Sequence, residues 1–181
     1  MKKIIANILM VIISVQGLSA FALAIPTGTV VVIKSAINTS GSGKCLDVAG
    51  GQTGTGTPIV QFDCHTGNNQ RFVFERFPGG QYIIKSSLSS SQEMCVGIPD
   101  NVNANAYELI RLEPCRVNND IPLGVRWYVD TINDRTRFRA VSPSWDRLST
   151  CIDVSSGSNI ESLWMQLYYC HQGGNQQWNV F

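Results

Sequence analysis

Three pairs of cysteines constrain this chain more than any other sequence feature. The two members of each pair are 19, 20 and 19 residues apart, and successive pairs begin 50 and 56 residues apart. A feature that recurs at such a period indicates an internal structural repeat. We therefore predict three units of one design, at approximately residues 29–78, 79–133 and 134–181, hereafter the first, second and third units. The cysteines are Cys45, Cys64, Cys95, Cys115, Cys151 and Cys170.

The amino-terminal segment has the pattern of a secretory signal peptide. A basic pair at residues 2–3 precedes an apolar run over residues 4–15, and the small residues Ala22 and Ala24 follow. A membrane anchor is the alternative interpretation, but the run is shorter than the ~20 apolar residues that a span needs. We expect cleavage after Ala24 and export of residues 25–181 as one domain, to the extracellular space or the periplasm.

Charge and cysteine content bound the expected partners and cofactors. Without the two amino-terminal lysines the formal charge falls from +1 to −1, and no basic block remains. Nucleic acid and anionic membrane surfaces are therefore not expected as partners. Nor do we expect the exported chain to insert into a membrane. An exported chain with an even number of cysteines is expected to form disulfides. No Cys-x-x-Cys occurs, so neither a metal nor another cofactor is expected. His65 and His171 follow the second cysteine of the first and third units and could donate to a ligand, but the favoured interpretation is an exposed loop histidine without a role.

Each unit reads as four short β-strands. One β-rich stretch precedes the first cysteine of the unit, others lie around and between the two cysteines, and an aromatic strand closes the unit. After the signal peptide, no apolar stripe at helical spacing extends beyond a turn or two. Three four-stranded units that cannot each bury an apolar face must share one core around a pseudo-threefold axis. The sequence therefore predicts an all-β protein, a β-trefoil of twelve strands.

Short motifs recur at matching places in these units. Cys45–Val48 (Cys-Leu-Asp-Val) returns as Cys151–Val154 (Cys-Ile-Asp-Val), and the chain closes on Asn175–Trp178 (Asn-Gln-Gln-Trp). This pattern resembles the ricin B-type lectin repeat with its Gln-x-Trp motif, over essentially all of the chain after residue 24. The motif is intact once and altered at Gln70–Phe72 and at Val125–Trp127. The resemblance implies a β-trefoil that binds carbohydrate and performs no catalysis.

The same resemblance implies which residues hold the fold together. The aromatic residues Phe72, Trp127 and Trp178 are expected to fill the shared core rather than to touch a sugar. Six cysteines allow 15 pairings, and the resemblance favours one disulfide within each unit. These disulfides are Cys45–Cys64, Cys95–Cys115 and Cys151–Cys170.

The third unit contains every group that sugar recognition needs. A carboxylate accepts hydrogen bonds from adjacent hydroxyls, amides donate and accept, and an aromatic face stacks on the apolar side of the ring. By resemblance Asp153 is the carboxylate and Tyr168 the stacking platform. Gln166, Asn175 and Gln176 are the polar partners. A turn-forming Asp bonded to its own backbone is the alternative interpretation of Asp153.

The first unit retains a weaker version of this set. Val60 stands in the place of Gln166, and Gln61 is displaced from that place by one residue. Because alternate side chains of a strand face opposite sides, Gln61 should point inward unless a bulge corrects it. The four retained groups are Asp47, Phe62 in the place of Tyr168, Asn69 and Gln70.

The second unit departs from the pattern at each binding position. Gly97, Arg111 and Glu113 replace the carboxylate, the amide and the aromatic residue, and no Asn-Gln pair precedes Trp127. We expect this unit to keep the fold without a sugar site. Its longer loop, at residues 118–124, is the candidate surface for another contact.

These observations favour a secreted lectin that recognises glycans, with galactose-type sugars as first candidates. The alternative is the cell-binding subunit of a secreted toxin, which would dock a catalytic partner subunit. A trefoil protease inhibitor is a further alternative, but it would not need the carboxylate, amide and aromatic set. The sequence contains no nucleophile elbow, His-Glu-x-x-His motif or phosphate loop, so an enzyme is not expected. Asn38 begins an Asn-x-Ser pattern, a glycosylation acceptor only in a eukaryotic host.

Overall fold

The computed structural model describes residues 25–37, 39–100, 103–132, 134–141 and 149–181. The predicted signal peptide, residues 1–24, and the predicted glycosylation acceptor Asn38 lie outside the described residues. Within this part of the chain, no helix is long and apolar enough to cross a membrane.

The described chain consists of fourteen β-segments and six short 3₁₀ helices. The β-segments are β1 (Val30–Val31), β2 (Ile33–Ser35), β3 (Lys44–Val48), β4 (Ile59–Asp63), β5 (Phe72–Phe77), β6 (Gln81–Ser86), β7 (Met94–Gly97), β8 (Arg111–Pro114), β9 (Trp127–Ile132), β10 (Arg135–Ala140), β11 (Thr150–Asp153), β12 (Leu163–Trp164), β13 (Gln166–Tyr169) and β14 (Trp178–Val180). The 3₁₀ helices are Ala49–Gly51, Asn68–Gln70, Pro78–Gly80, Leu123–Val125, Ser155–Gly157 and Gly174–Gln176.

The prediction of twelve strands differs from the fourteen segments at two breaks. β1 and β2 lie end to end around Val32, where the chain passes from pairing with β5 to pairing with β14. β12 and β13 lie end to end around Met165, where pairing with β4 gives way to pairing with β11. Each break marks a change of partner within one strand, so joining the segments across them restores twelve strands.

Six of these strands close into a barrel. The antiparallel order β1, β5, β6, β9, β10, β14, β2 returns to its start, because β1 and β2 are two halves of one strand. Three hairpins complete the fold: β3 with β4, β7 with β8, and β11 with β13. Closure pairs both edges of the barrel sheet, which would otherwise be open to other chains. The described residues thus form the β-trefoil that the repeat predicts.

The three units share one apolar core. Phe72, Trp127 and Trp178 open the closing strands β5, β9 and β14 and are at most 1% exposed, which confirms their prediction as core residues. The indole N–H of Trp127 donates to the Val96 carbonyl at 2.9 Å, so its one polar atom is satisfied. Burying a side chain of this size contributes on the order of 2–3 kcal/mol. The repeated aromatic position therefore serves the fold.

Each hairpin is closed by a disulfide. The first cysteine of a pair lies in the first strand of the hairpin, and the second directly follows the last residue of the second strand. These are the three disulfides that the resemblance implies. The crosslinks hold the two strands that carry the predicted carboxylate and aromatic residues in the first and third units. The pairs are Cys45–Cys64, Cys95–Cys115 and Cys151–Cys170.

Candidate functional site

The third unit gathers its predicted polar residues around one carboxylate. Asp153 ends β11 and lies opposite Gln166, the first residue of β13. Oδ1 of Asp153 accepts from the Gln166 amide at 3.1 Å, and Oδ2 accepts from Asn175 at 2.7 Å and from Gln176 at 3.0 Å. Asn175 and Gln176 lie on the 3₁₀ helix that precedes β14. Three amide side chains thus orient the carboxylate, which distinguishes it from a turn-forming Asp bonded to its own backbone.

Gln176 lies behind the carboxylate and is fully buried. Its amide nitrogen donates to Asp153 and also to the Tyr169 carbonyl at 3.0 Å. Its amide oxygen accepts from the backbone N–H of His171 at 2.9 Å. The sequence predicts Gln176 as a sugar contact, but this placement gives it a positioning role. The amides of Asn175 and Gln166 are the ones that reach the open side.

His171 also faces the carboxylate, although the sequence favours an exposed loop histidine at this position. Its Nδ1 accepts from the Gly173 backbone N–H at 2.9 Å, which leaves Nε2 facing the carboxylate. This Nε2 lies 3.7 Å from Asp153 Oδ2, and the side chain is 39% exposed. A shared pattern, Cys-His-x-Gly-x-Asn-Gln, begins at Cys64 and Cys170 and is the signal that could have identified the histidines.

The cluster forms the floor of an open depression of about 280 Å³. Tyr168 forms one wall, where the sequence predicts the stacking platform. Tyr107, contributed by the second unit, meets Tyr168 edge to face at 5.4 Å between ring centroids. Sequence analysis missed Tyr107 because it belongs to another unit and to no repeated motif. The lining residues are Tyr107, Asp153, Ser155, Ser156, Gln166, Tyr168, His171 and Asn175.

Burial and local contacts raise the pKa values of two side chains in this depression. Burial raises the pKa of Asp153 above its ordinary value, and the hydrogen bonds from Gln176 and Gln166 and the nearby His171 oppose this rise only in part. The pKa of the Tyr168 hydroxyl is also raised, chiefly by its hydrogen-bonding interaction with Tyr107. Asp153 is thus a carboxylate largely withdrawn from water, which strengthens the hydrogen bonds that it accepts.

The first unit repeats this geometry around Asp47. Both carboxylate oxygens accept from the Asn69 amide at 2.9 Å, and Oδ2 accepts from Gln70 at 2.8 Å. Gln70 is fully buried, and its other bonds join the Asp63 carbonyl and the His65 N–H, so it too positions the carboxylate. His65 Nε2 lies 3.3 Å from Asp47 Oδ2. The first and third units therefore present equivalent clusters.

The first-unit depression is smaller, at about 230 Å³, and less polar at one position. Val60 takes the place of Gln166 and contributes an apolar wall. Its neighbour Gln61 is buried and donates to the Ser158 and Ile160 carbonyls at 2.8 and 2.7 Å. The β3–β4 ladder is regular here, so Gln61 points inward as strand alternation predicts. The lining residues are Asp47, Ala49, Gly50, Val60, Phe62, His65, Asn69 and Ser162.

A family model supports the assignment that the repeats suggest. The model for the ricin-type β-trefoil lectin domain matches residues 34–178, most of the chain. The chain belongs to this family.

Two solved structures of an agglutinin and a lectin have the same fold. The agglutinin of Rhizoctonia solani superposes with a TM-score of 0.68 at 18% identity, over 87% of this chain and 96% of the agglutinin. The ricin B-like lectin of Macrolepiota procera, solved in complex with lactose, superposes with a TM-score of 0.61 at 21% identity, over 87% and 97% of the two chains. At these identities the likeness concerns the fold.

Two relatives match this ricin-type chain over short segments. Flavastacin of Elizabethkingia meningoseptica is 38% identical over 53 residues, which are 29% of this chain and 12% of flavastacin. The β-agarase AgaB34 of Agarivorans albus is 41% identical over 49 residues, which are 26% of this chain and 11% of the agarase. The match thus spans about a tenth of the length of either relative.

In the second unit of this ricin-type chain, a backbone contact fills the position equivalent to the depressions of the first and third units. The Ile98 N–H donates to the Gly124 carbonyl at 3.0 Å, as the Val154 N–H donates to the Asn175 carbonyl at 2.9 Å, so Gly124 is the equivalent of Asn175. A Cβ on Gly97 would lie 2.6 Å from the Gly124 oxygen. The tight backbone contact thus occupies the space that an Asp side chain would need.

The substituted residues of the second unit pair with each other. Arg111 donates to Glu108 at 2.8 Å and lies 3.8 Å from Glu113. Burial raises the pKa of Glu113, and Arg111 opposes this effect in part. Within the described ranges of the chain, no group of three His, Cys, Asp or Glu side chains is placed to hold a metal ion.

Proposed function

We propose that this protein is a non-enzymatic lectin that binds glycans through the third-unit and first-unit depressions. The observation that carries this proposal is the Asp153 carboxylate, held by three amides at the floor of an open depression with Tyr168 as its wall. A buried, oriented carboxylate beside an aromatic face matches a sugar ring, which has adjacent hydroxyls on its edge and C–H groups on its face.

In the proposed complex, Asp153 accepts hydrogen bonds from two neighbouring hydroxyls of one sugar. The amides of Asn175 and Gln166 bond the same hydroxyls, and the ring stacks on Tyr168. A single shallow site of this kind corresponds to millimolar affinity, or about −4 kcal/mol. The first-unit site is weaker because Val60 offers no amide. Galactose-type sugars remain the first candidates, and the lactose complex of the Macrolepiota procera lectin supports that choice.

We also propose that residues 25–181 act outside the cell after removal of residues 1–24. Three disulfides support this, because such bonds persist in oxidising compartments. Amino-terminal sequencing of the protein from the medium or periplasm of its host tests the proposal. A chain that begins at Ile25 is the expected result, and a cell-associated chain that begins at Met1 contradicts it.

The toxin-subunit function is the second candidate, and the second unit favours it. This unit keeps its disulfide and core, lacks the carboxylate cluster, and exposes Val117 before a tight turn at Asn118 and Asn119. Such a face is free to dock a catalytic subunit. Co-purification with the products of adjacent genes tests this candidate. A stable complex that Val117→Asp disrupts supports the toxin-subunit function. A protein that stays monomeric with every one of these gene products excludes it.

Glycan-array binding by the oxidised, exported chain tests the lectin function. The variants are Asp153→Ala, Asp47→Ala and, as the matched control in the second unit, Asp100→Ala. We expect wild type and Asp100→Ala to bind the same glycan class. We expect Asp153→Ala to lose most of this binding and Asp47→Ala to lose less. Near-UV circular dichroism verifies that each variant is folded, and Asp153→Asn replaces the alanine variant if that one unfolds.

The outcomes separate function from fold. Loss of binding by a folded Asp153 variant supports the lectin function and its leading site. A wild type that binds no glycan on a densely printed array overturns it. Equal glycan binding by wild type and the double variant Asp47→Ala, Asp153→Ala overturns the assignment of both depressions as binding sites.

A further inference from the structure

Each hairpin of the trefoil receives one rim residue from the preceding unit. The backbone N–H groups of Gly56, Tyr107 and Ser162 donate to the carbonyls of equivalent strand residues in the next hairpin. The distances are 2.8, 2.7 and 2.9 Å, and the three residues are therefore related by the pseudo-threefold symmetry. Tyr107 thus borders the third-unit depression, and Ser162 borders the first-unit depression.

Tyr107 is unusual for this backbone position. All three rim residues have left-handed φ angles, 83° for Gly56, 72° for Tyr107 and 57° for Ser162. This region suits glycine, and a bulky residue held there is strained, a feature that concentrates at functional sites. Tyr107 is also 67% exposed, so burial in the core does not compensate the strain. Neither backbone preference nor burial in the core accounts for the tyrosine, whereas contact with a ligand beside Tyr168 would.

The two tyrosines form an aromatic corner. Their ring planes meet at 72°, with 5.4 Å between centroids. Two backbone hydrogen bonds, from Tyr107 N–H to Leu167 and from Leu167 N–H to Glu108, at 2.7 and 2.8 Å, fix the rim to β13. A sugar that stacks on Tyr168 above Asp153 leaves the face of Tyr107 for the next ring of a chain. Ser162 offers no such face to the first-unit depression.

We propose that Tyr107 is a specificity-determining residue that gives the third-unit site a second stacking surface, so that this site selects glycans of two or more residues. The first-unit site, with Ser162 at its rim, recognises a single sugar. This inference rests on the proposed lectin function. Although the two carboxylate clusters are equivalent, the third-unit site would thus take a longer glycan than the first-unit site.

The test measures each site of the full exported chain in isolation. Asp47→Ala leaves the third-unit site, and Asp153→Ala leaves the first-unit site. The probes are galactose, glucose and xylose, each as the methyl β-glycoside and as the β-linked di- and tetrasaccharide. Calorimetry or ligand-observed NMR gives the ratio of disaccharide to methyl glycoside affinity. This ratio is the readout, because general damage to a site lowers both affinities together.

In the Asp47→Ala background we expect a disaccharide preference of about fivefold, the value of one aromatic stacking contact. Tyr107→Ser, which installs the residue of the symmetric position, should reduce the ratio to near one. Tyr107→Phe should retain it. Asn105→Ser, in the same segment but with an exposed side chain outside the depression, is the matched control and should also retain it. In the Asp153→Ala background, Ser162→Tyr should create a preference that the parent lacks.

The contradicting results are distinct for the two proposals. A chain that binds methyl glycosides with the same disaccharide ratio before and after Tyr107→Ser overturns the role of Tyr107 and leaves the lectin function intact. Equal loss of both affinities in Tyr107→Ser also overturns it, because the residue then serves the first sugar. A wild type that binds none of the probes nor any printed glycan overturns both proposals.

Discussion

At the scale of single residues, the raised pKa of Asp153 makes binding sensitive to acid. Burial is the main cause of the rise, and a protonated carboxyl can no longer accept hydrogen bonds from two sugar hydroxyls. We expect glycan affinity of the third-unit site to fall as the pH drops through a value above 3.8, the ordinary pKa of the group. Titration of binding in the Asp47→Ala background checks this. An affinity that does not change between neutral pH and pH 3.8 would contradict this prediction.

The same shift predicts the sign of a stability effect. Because the folded pKa of Asp153 exceeds the unfolded one, the native state holds more protons between the two values. Ionisation therefore lowers the free energy of unfolding as the pH rises through this window, and the loss is complete above the folded pKa. Urea unfolding of wild type and Asp153→Asn should show wild type losing stability relative to the variant between pH 3.5 and pH 7. A constant difference would contradict the shift.

The buried amide of Gln176 predicts a stability cost with a specific origin. Gln176→Val installs the residue type of the equivalent Val125 but leaves Asp153, the Tyr169 carbonyl and the His171 N–H each without one partner. Unsatisfied buried groups cost about 1–3 kcal/mol each, so the loss of three bonds should lower the free energy of unfolding by at least about 3 kcal/mol. Urea denaturation measures it. The exposed Gln172→Ala is the control, and equal stability of the two variants would contradict the positioning role.

At the scale of elements, the turn between Cys170 and β14 brings two side chains together around one glycine. Gly173 has φ −65° and ψ 147°, which alanine adopts readily. A Cβ there would nevertheless lie 2.7 Å from the Asn175 amide oxygen and from the His171 ring. Glycine is therefore required at this position because the Asn175 and His171 side chains occupy the space of a Cβ.

Gly173→Ala should displace both side chains and weaken glycan binding at the third-unit site about tenfold, since misplaced hydrogen bonds cost about 1–1.5 kcal/mol. The control is Gly54→Ala. The nearest atom to a Cβ added there lies at 4.0 Å, and the φ angle of Gly54 is outside the left-handed region. Calorimetric titration of both variants in the Asp47→Ala background checks the prediction. Equal affinity in both would show that the turn does not position Asn175 and His171.

The elements also show how far local sequence reaches. Cysteine spacing predicted the β-trefoil and strand alternation predicted the inward direction of Gln61, because a repeat and an alternation are both visible in the linear sequence. Alternation could not reveal the breaks at Val32 and Met165, since these arise where a strand changes its partner. Nor could a motif separate Gln176 from Asn175, because only packing decides which adjacent amide faces the solvent.

At the scale of the whole molecule, the sites depend on contacts between units. The pairing of β12 with β4 and the bridge between Leu109 and Gln166 place a segment of one unit against the hairpin of the next. Tyr107 reaches the third-unit depression in this way. A comparison of units within the sequence treats each as independent, so it identified the carboxylate clusters and missed the rim.

Two equivalent clusters on one closed barrel also predict avidity. The first-unit and third-unit sites are fixed on a single crosslinked body, so binding at one site brings the other close to a surface that bears many glycans. The second contact then becomes intramolecular and can raise apparent affinity about 100-fold. Wild type should therefore dissociate from a densely coated sensor far more slowly than Asp47→Ala or Asp153→Ala.

A sparsely coated sensor is the control for this prediction, because glycans spaced beyond the span of the protein permit only one contact. There, wild type and Asp47→Ala should dissociate at similar rates, since the stronger third-unit site governs both. Biolayer interferometry at the two densities measures this contrast. If dissociation of wild type is independent of glycan density, the two sites cannot engage one surface together, and their clusters face directions that the fold keeps apart.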